Sequence, residues 1–83
     1  MKQRDDILNQ IRSTIEFLKS AKAEREEALN NLLYGFKVSR VEDLEDGKAY
    51  SLGFELELQI EELKDCIESA ERESRYIFRF DEV

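Results

Sequence analysis

The sequence predicts an all-α fold, a long antiparallel helical hairpin of the coiled-coil type, and three observations support this prediction. Apolar residues recur at alternating steps of three and four in both halves of the chain, which is a heptad pattern. The 83 residues include no proline and only three glycines, and 40% of them are charged, a composition typical of long helices. A short connection separates the two patterned halves, so we expect antiparallel neighbours within one domain spanning residues 1–83.

The first helix is predicted over about residues 3–34. Asp5 and Asp6 fall in its first turn, where carboxylates complement the positive end of the helix dipole. Gly35 is placed to cap its C-terminus. The positions that follow the heptad steps form a continuous seam: Leu8, Ile11, Ile15, Leu18, Lys22, Arg25, Leu29, Leu32 and Phe36.

The connection is predicted over residues 35–40 and the second helix over about residues 41–75. Ser39 and Glu42 have the spacing of a capping box, which marks a helix start. Gly47 predicts an interruption at 46–48, because glycine inside a helix costs roughly 1 kcal/mol relative to alanine. The seam of this helix consists of Ala49, Gly53, Leu56, Ile60, Leu63, Ile67, Ala70, Ser74 and Ile77.

The tail, residues 76–83, has an alternation that suits a strand, but Ile77 is in phase with the helical seam, so a helix end is favoured. A six-residue connection puts residues whose numbers sum to about 75 opposite each other. Lys22 would then face Gly53, and Arg25 would face Tyr50 and lie over its ring as a cation–π contact. The apolar Phe36 and Val38 are expected to cover the turn end of the hairpin.

The net charge of the chain is −7, and residues 41–71 alone carry −9, with eleven acidic and two basic side chains. This balance argues against binding of long nucleic acid. The acids near the N-terminus are unlike the apolar centre of a signal peptide, and no apolar run approaches the roughly 20 residues of a membrane span. We therefore expect a cytoplasmic protein that does not associate with membranes.

Catalysis is not expected from this composition. The chain has no histidine and one cysteine, Cys66, so it has neither the usual general base nor enough ligands for a zinc site. Cys66 lies beside the seam, next to Ile67, and is expected to pack as a small apolar residue. The sequence predicts no enzyme activity, no metal and no cofactor.

A second apolar stripe lies off the seam of the second helix, at Tyr50, Phe54 and Leu58. A helix that is apolar on two sides contacts two surfaces. The stripe either closes a homo-oligomer or docks another protein. The favoured function is a protein-interaction module, an adaptor or inhibitor that occludes a basic partner surface. The predicted partner-binding residues are Tyr50, Phe54, Leu58, Glu55, Glu61 and Glu62.

Self-association is also expected, because a rod of two helices cannot enclose its apolar stripes. A dimer that forms a four-helix bundle, or a higher oligomer, would enclose them. Charges within the first seam are expected to fix register or oligomer state. The alternative function is an oligomeric binder of a nucleotide or another small anion. Its candidate residues are the two charged seam positions and the basic, aromatic C-terminal end: Lys22, Arg25, Arg72, Arg75, Tyr76 and Arg79.

Overall fold

The computed structural model describes the backbone of residues 2–81 and the side chains of residues 5–75. It is an all-α hairpin, as predicted. Helix α1 spans Lys2–Gly35, a short 3₁₀ helix spans Val41–Asp43, and helix α2 spans Gly47–Asp81. The two long helices pack antiparallel into a rod of 56 × 16 × 16 Å. Residues 76–81 continue α2, and no strand occurs among residues 2–81.

The two predicted seams face each other along the rod. Every seam position of α1 from Leu8 to Leu32, and every seam position of α2 from Ala49 to Ser74, is buried or half-buried. Phe36 departs from the pattern, with 48% of its surface exposed, because the chain leaves the helix there. The side chain of Ile77 lies outside the described residues. The core is thin, since none of the described large side chains is completely enclosed.

The predicted cap at Gly35 is wrong. The helix continues through Gly35, and Lys37 takes the left-handed conformation, with φ 56°. The amide of Lys37 donates to the carbonyl of Tyr34 at 3.1 Å, and that of Val38 donates to Leu33 at 3.0 Å. This is a Schellman motif. Its apolar contact comes from Val38 and Leu33, which both pack against the cluster of buried residues at the turn.

The predicted capping box is also wrong, because Ser39 and Glu42 do not begin α2. Arg40 precedes the 3₁₀ helix with an extended backbone and no side-chain cap. Helix α2 begins only at Gly47, where the sequence placed an interruption. The Oδ1 atom of Asp46 accepts hydrogen bonds from the amides of Lys48 and Ala49, both at 3.0 Å. Asp46 is therefore the N-cap of α2.

The 3₁₀ helix folds back onto the first turns of α2. Val41, in the 3₁₀ helix, and Leu44, the residue that follows it, are 5% and 6% exposed. They rest on Ala49 and Gly53, and Gly53 leaves the space for them: a Cβ atom there would lie 3.1 Å from the Cγ2 of Val41. We call Val41, Leu44, Ala49 and Gly53 the turn cluster. Apolar side chains from α1 and the connection pack against it: Leu29, Leu32, Leu33 and Val38.

The predicted register of the two helices is wrong. Arg25 contacts Gln59 instead of Tyr50, and Lys22 lies across a groove from Ile67 instead of Gly53. The partners on α2 are thus at least nine residues further along, about two and a half turns. The connection between the helices spans residues 36–46 and not 35–40, which shifts the pairing in this direction.

Replacement of Asp46 by alanine is expected to destabilise the protein by about 1 kcal/mol, because two amide groups of the first turn of α2 lose their acceptor. Urea unfolding followed by circular dichroism measures this loss. Asp43→Ala is the matched control. Asp43 forms only an exposed ion pair with Arg40 at 3.6 Å, and its loss should change stability by less than about 0.5 kcal/mol. Equal effects of the two substitutions would show that Asp46 does not cap the helix.

Candidate functional site

Tyr50, Phe54 and Leu58 form an exposed apolar ridge on α2, which we call the aromatic stripe. Their exposed fractions are 44%, 51% and 50%. The rings of Tyr50 and Phe54 stack with centroids 6.4 Å apart and planes inclined by 11°. Stacking holds two large apolar side chains in one orientation on a helix, so the stripe is organised before any partner arrives.

The charged residues on α2 among and just after the aromatic stripe are all acidic. Residues 49–63 contain four glutamates and no lysine or arginine. The predicted Glu55, Glu61 and Glu62 are all exposed, and so is Glu57, which the sequence analysis did not select. Tyr50 and Phe54 lie two helical turns before Glu57 and Glu61, so each pair shares a face of α2. The stripe and its acids thus form one continuous surface.

Beyond the aromatic stripe, a groove with charged walls runs between the helices on the same side of the hairpin. Its lysines are matched by carboxylates. The Nζ atom of Lys22 lies 3.4 Å from Glu26, and that of Lys19 lies 3.8 Å from Glu71. We call this the charged groove; its charged walls consist of Lys19, Lys22, Lys64, Glu26, Glu68 and Glu71. Three positive and three negative groups leave it with no net charge.

Arg25 joins the two helices within the seam. Its Nε donates to Oε1 of Gln59 at 2.9 Å, and its Nη1 donates to the carbonyl of Ala21 at 3.1 Å. The expected stacking of Arg25 on Tyr50 is therefore absent, because the register places Gln59 within reach instead. Sequence reasoning missed Gln59, since only the correct register identifies it.

Arg25 lies far from the candidate anion-binding residues at the C-terminal end. Arg25 bonds to Gln59, and Arg72 lies thirteen residues further along α2, about 20 Å away at 1.5 Å per residue. Arg75 is exposed, and the side chains of Tyr76 and Arg79 lie outside the described residues. Among residues with described side chains, no three acidic or cysteine groups converge in a way that would hold a metal ion.

The opposite side of the hairpin carries a second groove, of about 640 Å³, that is largely uncharged. Cys66 lines it and is exposed, which corrects the expectation that this thiol packs into the interior. Leu52, about four turns before Cys66 and five turns before Ala70 on α2, is 49% exposed. We call this the apolar groove; its lining consists of Thr14, Leu18, Cys66, Ser69, Ala70, Arg72 and Glu73.

Neither helix, over its described residues, has a stretch long and apolar enough to cross a bilayer. Comparison of the chain with protein-family models, with curated proteins and with solved structures finds no match. Function must therefore be argued from the surfaces themselves.

Proposed function

We propose that this chain is a non-catalytic protein-interaction module that docks, through the aromatic stripe, onto a basic surface of another protein. It acts there as an adaptor or as an inhibitor that covers the partner's site. The observation that supports this function is the stacked, half-exposed Tyr50–Phe54 pair in an acidic surround.

The chemistry of the stripe matches that of the energetic centre of a protein interface. Aromatic side chains dominate such centres, and a polar rim excludes water from them. Here the stacked rings and Leu58 provide the apolar centre, and the surrounding glutamates provide the rim. The helix fixes the backbone, so little conformational entropy is lost on binding.

The charge of the surround defines the chemistry of the partner. Four glutamates without a basic neighbour within residues 49–63 repel acidic surfaces and accelerate encounter with basic ones. The partner surface should therefore combine an apolar pocket, which receives Phe54 or Tyr50, with lysines or arginines at its edge. Complex formation should weaken as salt is raised, because these charges remain exposed and are screened.

Phe54→Glu is expected to weaken partner binding by at least about thirtyfold, since loss of a central aromatic anchor costs about 2 kcal/mol or more. The protein is first captured with its partners from its native lysate, and a co-purifying basic protein is identified by mass spectrometry. Its affinity for the purified wild type and variants is then measured by calorimetry at two salt concentrations.

Tyr34→Glu is the matched control. Tyr34 is an aromatic residue on α1 that is 86% exposed, and the substitution adds the same charge on the other helix, outside the stripe. Binding should survive this change. A partner that is retained equally by Phe54→Glu and Tyr34→Glu would contradict the proposal. So would a bound nucleotide, released on Arg75→Ala, with no stoichiometric protein present.

A further inference from the structure

The hairpin exposes more surface than its mass predicts. A compact monomer of 9.8 kDa should expose about 5,200 Å², whereas this chain exposes 6905 Å². The excess is about a third. A standard protein interface buries about 800 Å² of each partner, so a single interface of ordinary size would remove roughly half of this excess. The rod therefore has enough excess surface for one interface of ordinary size.

The face of α1 that carries Thr14 continues toward the turn with small side chains. On α1, Thr14 shares its face with Ala21 and Ala28, at steps of two helical turns. Phe17 lies three residues after Thr14 on α1, next to Leu18 of the groove, and is 72% exposed. Small side chains on this face of α1 allow another helix to approach closely, and the exposed ring of Phe17 offers it an apolar contact.

The aromatic stripe and the apolar groove differ in how well each could pair with the same surface of a second copy of the chain. A two-fold interface brings each patch against itself. Pairing of the aromatic stripes would place four glutamates from each copy together, and like charges at an interface are strongly unfavourable. The apolar groove has only Arg72 and Glu73 as charged lining residues, so its net charge is zero and the two groups can pair across a two-fold axis.

We infer that the apolar groove binds a second copy of this chain, forming a four-helix dimer in which both aromatic stripes remain exposed. The groove provides the dimer interface and the stripe provides the surface for the basic partner. The dimer is independent of the partner, since the groove begins on α2 at Cys66, eight residues beyond Leu58, the last residue of the stripe. It presents two stripes and so can bind two copies of a partner, or one symmetric partner.

Sedimentation equilibrium of the purified protein should give twice the mass of one chain at micromolar concentration. Phe17→Glu should raise the dimer dissociation constant by at least about tenfold, because a charge replaces an exposed apolar side chain beside the groove. Tyr34→Glu and Phe54→Glu add the same charge outside the groove and should leave the dimer intact. A wild-type monomer at all concentrations, or a dimer lost in Phe54→Glu but kept in Phe17→Glu, would overturn the inference.

Cys66 gives a second measurement that uses the unmodified protein. Its thiol is exposed in the single hairpin, so a monomer should react with a maleimide at one rate whatever the protein concentration. If a second copy covers the groove, the rate per thiol should fall at least about tenfold as the protein is concentrated through the dimer range. A rate that stays constant while the mass doubles would place the dimer interface elsewhere and refute the inference, and it would leave the proposed function of the stripe unaffected.

Discussion

Leu44→Ala is expected to destabilise this protein by about 3 kcal/mol, within the 2–5 kcal/mol that buried leucines cost when truncated. Leu44 is 6% exposed and, with Val41, anchors the connection onto α2. A chain of this length has a total stability of about 4–12 kcal/mol, so one side chain of the connection should account for a large part of it. Urea unfolding monitored by circular dichroism measures the change in the free energy of unfolding.

Leu58→Ala makes the same chemical change on the aromatic stripe and is the matched control for Leu44→Ala. Because Leu58 is already 50% exposed, little apolar surface returns to water when it is truncated, and the loss should stay below about 1 kcal/mol. If both substitutions cost the same, the 3₁₀ helix would not be anchored by Leu44. The same comparison separates stability from binding, since only Leu58→Ala should weaken capture of the partner.

The long helices and their seams were predictable because their signal is local and repeated. Each seam position, from Leu8 in α1 to Ser74 in α2, follows from the steps of three and four, and a helix transmits that phase over its whole length. The aromatic stripe was found by the same periodicity, as a second set of positions out of phase with the first. Positions outside the seam face away from the partner helix, so the exposure of the stripe could be predicted without knowing the register.

The connection was not predictable from local rules. A capping box at Ser39 and Glu42 competes with the burial of Val41 and Leu44 against Ala49 and Gly53, and burial of two apolar side chains, at about 1.5–3 kcal/mol each, outweighs one cap of about 1 kcal/mol. A local sequence pattern can predict the cap, but it cannot predict that Val41 and Leu44 pack against a surface of α2 several residues away. The left-handed conformation of Lys37 was not predicted for a related reason. Glycine is the residue most often found at a helix C-cap, so the local pattern favoured Gly35 for that position.

The error in the connection propagated to the candidate sites. Because the predicted register was wrong, Tyr50 was predicted as the partner of Arg25, whereas the partner is Gln59. The apolar groove depends on how both helices rotate about their common axis, so its residues cannot be grouped from one helix alone. Phe17 illustrates this: a single aromatic residue outside the seam carries no periodic signal, and only the neighbouring Thr14 and Leu18 on the groove wall give it a context.

Gly53→Leu is expected to displace the 3₁₀ helix from α2 and to destabilise the protein by about 2 kcal/mol. Gly53 is buried within α2, where glycine is otherwise a poor choice, and replacing it with a larger helix former should gain about 1 kcal/mol of helix propensity. The packing opposes this gain. A Cβ atom would lie 3.1 and 3.2 Å from the two Cγ atoms of Val41 and 3.2 Å from Cδ1 of Leu44. The further carbons of leucine would overlap the turn cluster, and relieving the overlap costs more than the propensity gain.

Gly47→Leu is the matched control, because nothing lies within 4 Å of a Cβ atom at Gly47, and this variant should be as stable as the wild type or slightly more so. The two variants should therefore differ by about 2–3 kcal/mol in urea unfolding, combining the packing cost at one position with the propensity gain at the other. Hydrogen exchange locates the cause. The amides of Asp43 and Leu44 donate to the carbonyls of Arg40 and Val41, and they should lose protection in Gly53→Leu but keep it in Gly47→Leu. Preserved protection in Gly53→Leu would mean that the 3₁₀ helix does not depend on the space at Gly53, and the packing of Val41 and Leu44 against Gly53 would not be what holds the connection on α2.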